Sequence, residues 1–248
     1  MQSFNFKINK KRIKFHSISE KLKGMKIAQL SDIHTGIYLN KGTILEAVKI
    51  TNGLEPDIVC LTGDFTSDSE KYIYPCIEAL SLLKPSLGIY SCIGNHDNMV
   101  NRMLTIEGLK SAGMNIMIEE NQIVEYNGCE FYIAGTEDGW YYNKPNLNKA
   151  LKNIPNDSFK ILLAHQPDIF DEVADRNVNL TLSGHYHGGQ VSVQFFGVPL
   201  SIATLTTLYV SGLFMKNRSY LYVNDGIGFT GPPFRINVPP EITLITLE

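Results

Sequence analysis

Apolar and polar residues recur along this chain in short blocks, and the spacing within each block predicts the elements. Residues 4–15 alternate apolar with basic side chains (Phe4, Phe6, Ile8, then Ile13 and Phe15). A period of two predicts strands, here a pair at a sheet edge with a tight turn at 9–11. Residues 26–30 (KIAQL) predict a short buried strand. Residues 43–52 set Ile44, Leu45, Ala47 and Val48 at helical spacing, with Thr43 as the cap and Gly53 as the stop. A strand at 57–61, a helix at 73–83 with Pro75 in its first turn, a strand at 87–93 and a helix at 102–112 closed by Gly113 continue the alternation.

Beyond residue 113 the pattern turns mostly to β. Strands are expected at 115–118, 122–126 and 130–134, the last two joined by Asn127-Gly128, a strong hairpin signal. A short helix at 147–151, a strand at 159–164, a proline-led helix at 167–174 and a strand at 178–182 follow. Residues 190–195, 220–224, 227–230, 234–237 and 242–247 all read as strands. The expected fold class is α/β: two mixed β-sheets flanked by helices, in a single domain over residues 1–248.

Composition narrows the function. The chain has 248 residues, 44% of them hydrophobic, and a formal net charge of −3. An acidic balance argues against binding a nucleic-acid polymer, which needs a basic face, while leaving room for a small phosphate ester. Four cysteines (Cys60, Cys76, Cys92, Cys129) form no CxxC pair, so no thiolate metal site is expected. Cys60 and Cys92 lie in apolar runs and read as buried free thiols. The N-terminus has no apolar run suited to a signal peptide, and polar residues interrupt the apolar stretch at 195–215. The location expected is cytoplasmic, or envelope-associated if an anchor precedes the natural chain; nothing in the sequence supports peripheral membrane association.

The candidate chemistry lies at strand ends. Five strands run into turns that carry metal-ligating residues: Asp32-Ile33-His34, Gly63-Asp64, Gly94-Asn95-His96-Asp97, His165-Gln166-Pro167, and Gly184-His185-Tyr186-His187 within SGHYHGGQ. Each block alone fits a polar turn. Together they hold five of the six histidines, and strand ends of an α/β sheet line a common crevice. A set of Asp, Asn and His without thiolate suits Mn²⁺, Zn²⁺ or Fe rather than Ca²⁺. The donors are too many for one ion and suit two divalent ions about 3.5–4 Å apart.

The order D-x-H, G-D, G-N-H-D, H, G-H-x-H, spanning Asp32 to His187, resembles the calcineurin-like metallophosphoesterases. The tail from Gly226 to Leu244 (GIGFTGPPFR…PPEITL) is similar to a bacterial phosphodiesterase branch whose members often carry an N-terminal membrane or export segment. The resemblance implies that Asp32, His34 and His187 hold one metal, that Asn95, His165 and His185 hold the other, and that Asp64 bridges them. It implies that His96 faces the phosphate and leaving group, with Asp97 behind it as its orienting partner, and that a metal-bridging hydroxide attacks phosphorus. The activity expected is phosphodiester hydrolysis. Pyrophosphatase action on a nucleoside-diphospho-lipid and phosphomonoesterase action share this centre, and a non-catalytic scaffold is the alternative of another class.

Three features outside the motifs stay open. Trp140, Tyr141 and Tyr142 could stack on a base or pack at the surface. Residues 195–215 could cap the site or hold a lipid-like group, with core packing the default. Arg235 could approach a phosphate or sit in a salt bridge.

Overall fold

The computed structural model describes residues 5–140, 144–195 and 198–248. Its strands are β1 (Lys7–Ile13), β2 (Lys26–Leu30), β3 (Ile58–Thr62), β4 (Ile89–Cys92), β5 (Asn115–Ile116), β6 (Glu120–Tyr126), β7 (Cys129–Gly135), β8 (Lys160–Leu163), β9 (Leu180–Ser183), β10 (Val193–Phe195), β11 (Val198–Leu200), β12 (Gly212–Lys216), β13 (Ser219–Val223) and β14 (Glu241–Leu247). The helices are α1 (Lys41–Gly53), α2 (Ile73–Leu80), α3 (Asn95–Ser111), α4 (Leu147–Ala150) and α5 (Phe170–Val173).

Two six-stranded mixed sheets stack face to face, in the orders β1-β14-β2-β3-β4-β5 and β12-β13-β9-β8-β7-β6. Alternation within each strand builds the layers. In β2, Ile27 points between the sheets, whereas Ala28 and Leu30 meet α1 and α2 on the outer face; β3 repeats this with Ile58 and Cys60 inside, Val59 and Leu61 outside. In the second sheet Ile161, Leu163, Leu180 and Leu182 face the first sheet, while Leu162 and Leu221 pack under α5. The strand centres are buried on both faces, as covered parallel strands are. Among the described residues no helix is long and apolar enough to cross a membrane.

Several elements depart from the expectation. Residues 7–13 form one continuous strand parallel to β14; the expected turn at 9–11 is absent, because Asn9 donates to Tyr222 Oη (2.7 Å) and its neighbours offer no glycine for a reversal. Phe4 lies outside the described residues. Asn40, not Thr43, caps α1, its Oδ1 accepting the Thr43 N–H. Helix α3 begins at Asn95, inside the GNHD block, and kinks at Asn101 (φ −168°, ψ 94°), whose Oδ1 accepts the Leu104 N–H. Asn101 is therefore a second cap, and the predicted start at 102 marks this inner segment. The Asn127-Gly128 hairpin stands as expected, both residues at positive φ (50° and 71°).

Residues 227–230 and 234–237 form no strand beyond one bridge between Val191 and Ile236. This segment wraps the Arg235 guanidinium, which donates to the carbonyls of Asp225 (2.7 Å) and Gly228, so its backbone acceptors serve a side chain instead of a ladder. The stretch 195–215 also differs from core packing. Tyr209 and Phe214 join the outer core, but Ile202, Leu205 and Leu208 stand in solvent. The cysteines are free, with Cys60, Cys76 and Cys92 buried.

Candidate metal centre

The five ligand-bearing turns meet at one rim. The loops leaving β2 and β3 run side by side, with Asp32 N–H donating to Gly63 O and His34 N–H to Asp64 O, both at 2.9 Å. Gln29 ties this rim to the second sheet, donating to Thr62 Oγ1 (3.0 Å) and to Ser183 O (2.9 Å). Close approach of the turns depends on glycine. A Cβ on Gly94 would fall on the Asp64 carboxylate, and one on Gly184 would fall on Asp32 and Ser31, so any side chain there would displace a candidate ligand.

Two principal groups of donor atoms result, and His34, Asp64 and His96 make a third that overlaps both. Asp32, His34 and His187 form one, with His34 Nε2 and His187 Nε2 3.0 Å apart and Asp32 Oδ1 3.4 Å from His187 Nε2. Asp64, His165 and His185 form the other, with His185 Nδ1 3.3 Å from His165 Nε2. Asn95 Oδ1 joins it at 3.2 Å from His165 Nε2. Asp64 belongs to both: its Oδ2 lies 3.4 Å from His34 Nε2 and 3.3 Å from His165 Nε2. His165 Nδ1 donates to Thr62 O at 2.7 Å, which turns Nε2 toward Asp64, the arrangement that orients a ligating imidazole. His34 Nδ1 is held at 2.7 Å by Ser67.

Electrostatics favour a cation here. Asp32 and Asp64 are buried, and among the described residues neither forms an ion pair with a lysine or arginine. Burial pushes Asp32 up to about 6. Burial acts the same way on Asp64, but His165, His34 and His96 outweigh it and hold that carboxyl below its ordinary value. Burial drives His34 and His185 down to about 3 and His187 well below its usual range, leaving neutral imidazoles with lone pairs to offer. His165 is the exception: burial lowers it, but Asp64 prevails and lifts it to about 10. Buried carboxylates beside the neutral His34 and His187 nitrogens, which lie 3.0 Å apart, are costly without a cation, and the donor set fits a pair of divalent ions.

His96 and Asp97 occupy different positions from one another. His96 lines a small cavity (about 130 Å³) with His34, Ser67, Tyr38, Asp68, Phe229 and Thr230. Its backbone N–H donates to Asp64 Oδ1 (2.9 Å), while its Nδ1 is buried without a hydrogen-bond partner among the described residues. Asp97 does not orient it. The Asp97 carboxylate instead accepts the backbone N–H groups of Asp64, Phe65 and Gly94 at 2.8–2.9 Å. It sits at the third position of α3, where a carboxylate caps the helix start, and so it clamps the Asp64 turn to α3. Burial, then Asp64, raise Asp97 to about 7.

The fold agrees with comparison to known proteins. Residues 25–189 match the calcineurin-like phosphoesterase model. This chain belongs to that family. It is 31% identical over 240 residues to YkuE of Bacillus subtilis, an uncharacterized metallophosphoesterase, covering 95% of this chain and 83% of YkuE. It is 30% identical over 228 residues to the Escherichia coli phosphodiesterase YaeI, covering 90% and 82%. Among solved structures, TT1561 of Thermus thermophilus superposes with a TM-score of 0.56 at 13% identity, covering 82% of this chain and 89% of that one; this likeness concerns the fold.

Two hydroxyls at the rim gave no sequence signal of their own. Thr230 Oγ1 lies 2.8 Å from His187 Nε2, and Ser67 holds His34; single hydroxyls in loops stand out only in space. Arg235 lies behind the His187 ring, 3.1 Å from Nδ1, engaged with backbone carbonyls, and forms no salt bridge among the described residues. Trp140 sits edge-on to His185, ring centroids 5.3 Å apart, and is mostly exposed. Tyr141 and Tyr142 lie outside the described residues.

Proposed function

We propose that this protein is a dimetal phosphoesterase that hydrolyses phosphodiesters. The observation that carries the reading is Asp64 Oδ2, nearly equidistant from the two donor groups at 3.4 and 3.3 Å. Asp32, His34 and His187 would hold one divalent ion, Asn95, His165 and His185 the other, and Asp64 both. Mn²⁺, Zn²⁺ and Fe suit these donors. When bound, such a pair neutralises phosphoryl oxygens and lowers the pKa of coordinated water, so that a nucleophile exists near neutral pH.

The remaining work belongs to the chain. Thr62 O and Ser67 fix the rings of His165 and His34, so the ligands need little rearrangement on loading. Asp97 holds the Asp64 turn against α3. His96, in the cavity beside His34 with its Nδ1 unengaged among the described residues, would donate a proton to the leaving alkoxide. YaeI, a relative named for phosphodiesterase activity, supports the diester as substrate. The test is hydrolysis of bis-p-nitrophenyl phosphate with added Mn²⁺, with and without chelator, beside p-nitrophenyl phosphate and a nucleoside-diphospho-lipid. Diester turnover lost on chelation is expected. Preference for the monoester or the pyrophosphate would reassign the substrate, and inactivity with every divalent metal would leave a scaffold.

A further inference from the structure

We propose that Asp68 sets leaving-group specificity, so that the ester group released beside His96 is an uncharged or cationic alcohol and not a phosphate or another anion. The inference rests on the dimetal reading of the neighbouring centre and adds the charge of the substrate to it. The cavity of about 130 Å³ that holds His96 is lined also by Tyr38, Asp68 and Phe229, and by no lysine or arginine among the described residues. Arg235 stands over the Phe229 ring, its guanidinium carbon 5.9 Å from the centroid. Its N–H groups go to the carbonyls of Asp225 and Gly228, so it does not neutralise Asp68.

The pairing of two loops places Asp68 there. Thr35 N–H donates to Phe65 O (2.9 Å) and Ser67 N–H to Thr35 O (3.3 Å), so the loop after β3 lies along the loop after β2. Residue 68 follows directly. Its Oδ2 accepts the Ile37 N–H at 3.3 Å and occupies the space that a Cβ on Gly36 would need. Glycine at 36 thus admits the carboxylate to the cavity wall. Oδ1 makes no hydrogen bond, and the carboxylate no ion pair with a lysine or arginine, among the described residues. Asp68 is exposed, as is Tyr38 at 60%, so a substrate arriving from solvent meets both.

This charge separates substrates that the metal ligands treat alike. In a simple diester the group leaving beside His96 is an alcohol. In a nucleoside-diphospho compound it is itself a phosphate ester, and it carries negative charge into a cavity that offers a carboxylate and no arginine or lysine. Proteins recognise phosphate with those cations, and like charges set against one another are rejected. His96 does not compensate, because it gives up its positive charge with the proton it transfers as the P–O bond breaks. A hydroxyl or ammonium group on the leaving alcohol, in contrast, finds an acceptor in Asp68 Oδ1, and the Tyr38 and Phe229 rings offer its carbon atoms an apolar surface.

The test measures kcat/KM of the Mn²⁺-loaded full chain on methyl aryl phosphodiesters whose ring carries a neutral nitro group, a carboxylate or a trimethylammonium group. Asp68→Asn should lower the cationic-to-anionic ratio about tenfold, since an exposed charge contact is worth up to about fivefold and the two leaving groups feel it with opposite sign. Asp68→Glu, which keeps the charge, should keep the wild-type ratio. Raising salt should lower the ratio in wild type and leave it flat in Asp68→Asn. Circular dichroism and the Mn²⁺-dependent rise in Tm should match wild type in both variants. A ratio that Asp68→Asn leaves unchanged, or a wild-type ratio indifferent to salt, would overturn the role of Asp68 and leave the dimetal reading standing. Wild-type protein inactive on every diester with every divalent metal would remove that reading, and this inference with it.

Discussion

Replacing Asp64 with asparagine tests the centre at the atom its two halves share. Oδ2 lies 3.4 Å from His34 Nε2 and 3.3 Å from His165 Nε2, and Oδ1 accepts the His96 N–H at 2.9 Å. Asparagine keeps the shape and one carbonyl acceptor, but removes the charge and turns the second oxygen into an amide donor. At a cation concentration a hundredfold above Kd, each site stabilises the fold by about 2.7 kcal/mol, and two sites by about 5 kcal/mol. For a chain of this length 1 kcal/mol moves Tm by roughly 2–4 °C, so Mn²⁺ should raise wild-type melting by about 10–20 °C over the chelated protein. If Asp64 serves both ions, Asp64→Asn loses most of the increment from both, not half of it. Calorimetry with Mn²⁺ and with chelator reads the increment, and metal analysis of the same samples reads the stoichiometry. Two ions per chain and a full increment in Asp64→Asn would refute the bridging role; one ion and half the increment would confine Asp64 to a single site.

Other perturbations separate the remaining roles. His96→Asn should retain two ions and the metal-dependent Tm increment while losing about 10²–10⁴-fold in kcat; wild-type turnover would remove His96 from the reaction. Arg102 on α3 grips Glu137 with two hydrogen bonds of 2.7 Å, and Glu137 is buried. Arg102→Met should cost about 3 kcal/mol by leaving that carboxylate unpaired, read from the urea midpoint, and adding Glu137→Gln should recover part of it. Burial, then Glu241, raise Asp225 from 3.8 to about 6. The folded state then holds its proton to higher pH than the unfolded state, so stability falls as pH rises from about 4 to about 6. The loss is at most about 3 kcal/mol. Asp225→Asn should flatten that slope and be the more stable protein at neutral pH, and denaturant midpoints on either side of the window would show it.

The layers were legible because buried strands carry their own signal. Val59 and Leu61 against Ile58 and Cys60, or Leu162 against Ile161 and Leu163, alternate between two apolar surroundings. The ligand blocks were legible because strand ends converge whatever the helices do. What escaped lay where side chains outside the local window decide. Residues 227–237 look like strands because they are apolar, but Arg235 draws their carbonyls inward. Residues 9–11 look like a turn because they are polar, yet Asn9 reaches Tyr222 across the interface. Asp97 follows His96 directly, which suggested a pairing, but as the third residue of α3 it points back at the backbone of the neighbouring turn. The apolar residues Ile202, Leu205 and Leu208 were legible as apolar and illegible as exposed, since hydrophobicity alone does not say which side of a surface a residue takes.

Backbone conformation adds a reason why the centre holds its shape. Asp32, His34, Asp64, His185 and His187 all have left-handed backbones, with φ of 49°, 48°, 57°, 74° and 52°. Such residues cost on the order of 1 kcal/mol each, so the five together cost about 5 kcal/mol, comparable to the whole net stability of many domains. Chains left to local preference would place glycine or asparagine there. These five residues in three turns, laced by backbone bonds such as Asp32 N–H to Gly63 O, aim their side chains at a common rim before any ion arrives. Strain of this kind persists where the surroundings over-determine it. The inter-turn bonds, the Asp97 clamp and the glycine contacts at Gly94 and Gly184 supply that constraint. Substituting glycine for Asp32 or His187 should therefore relieve strain while removing a ligand, so that the chelated variant melts no lower than chelated wild type even as its metal response collapses. A ligand loss that also destabilised the chelated fold would show that these side chains support the structure itself, and the strain would then have no part in preparing the site.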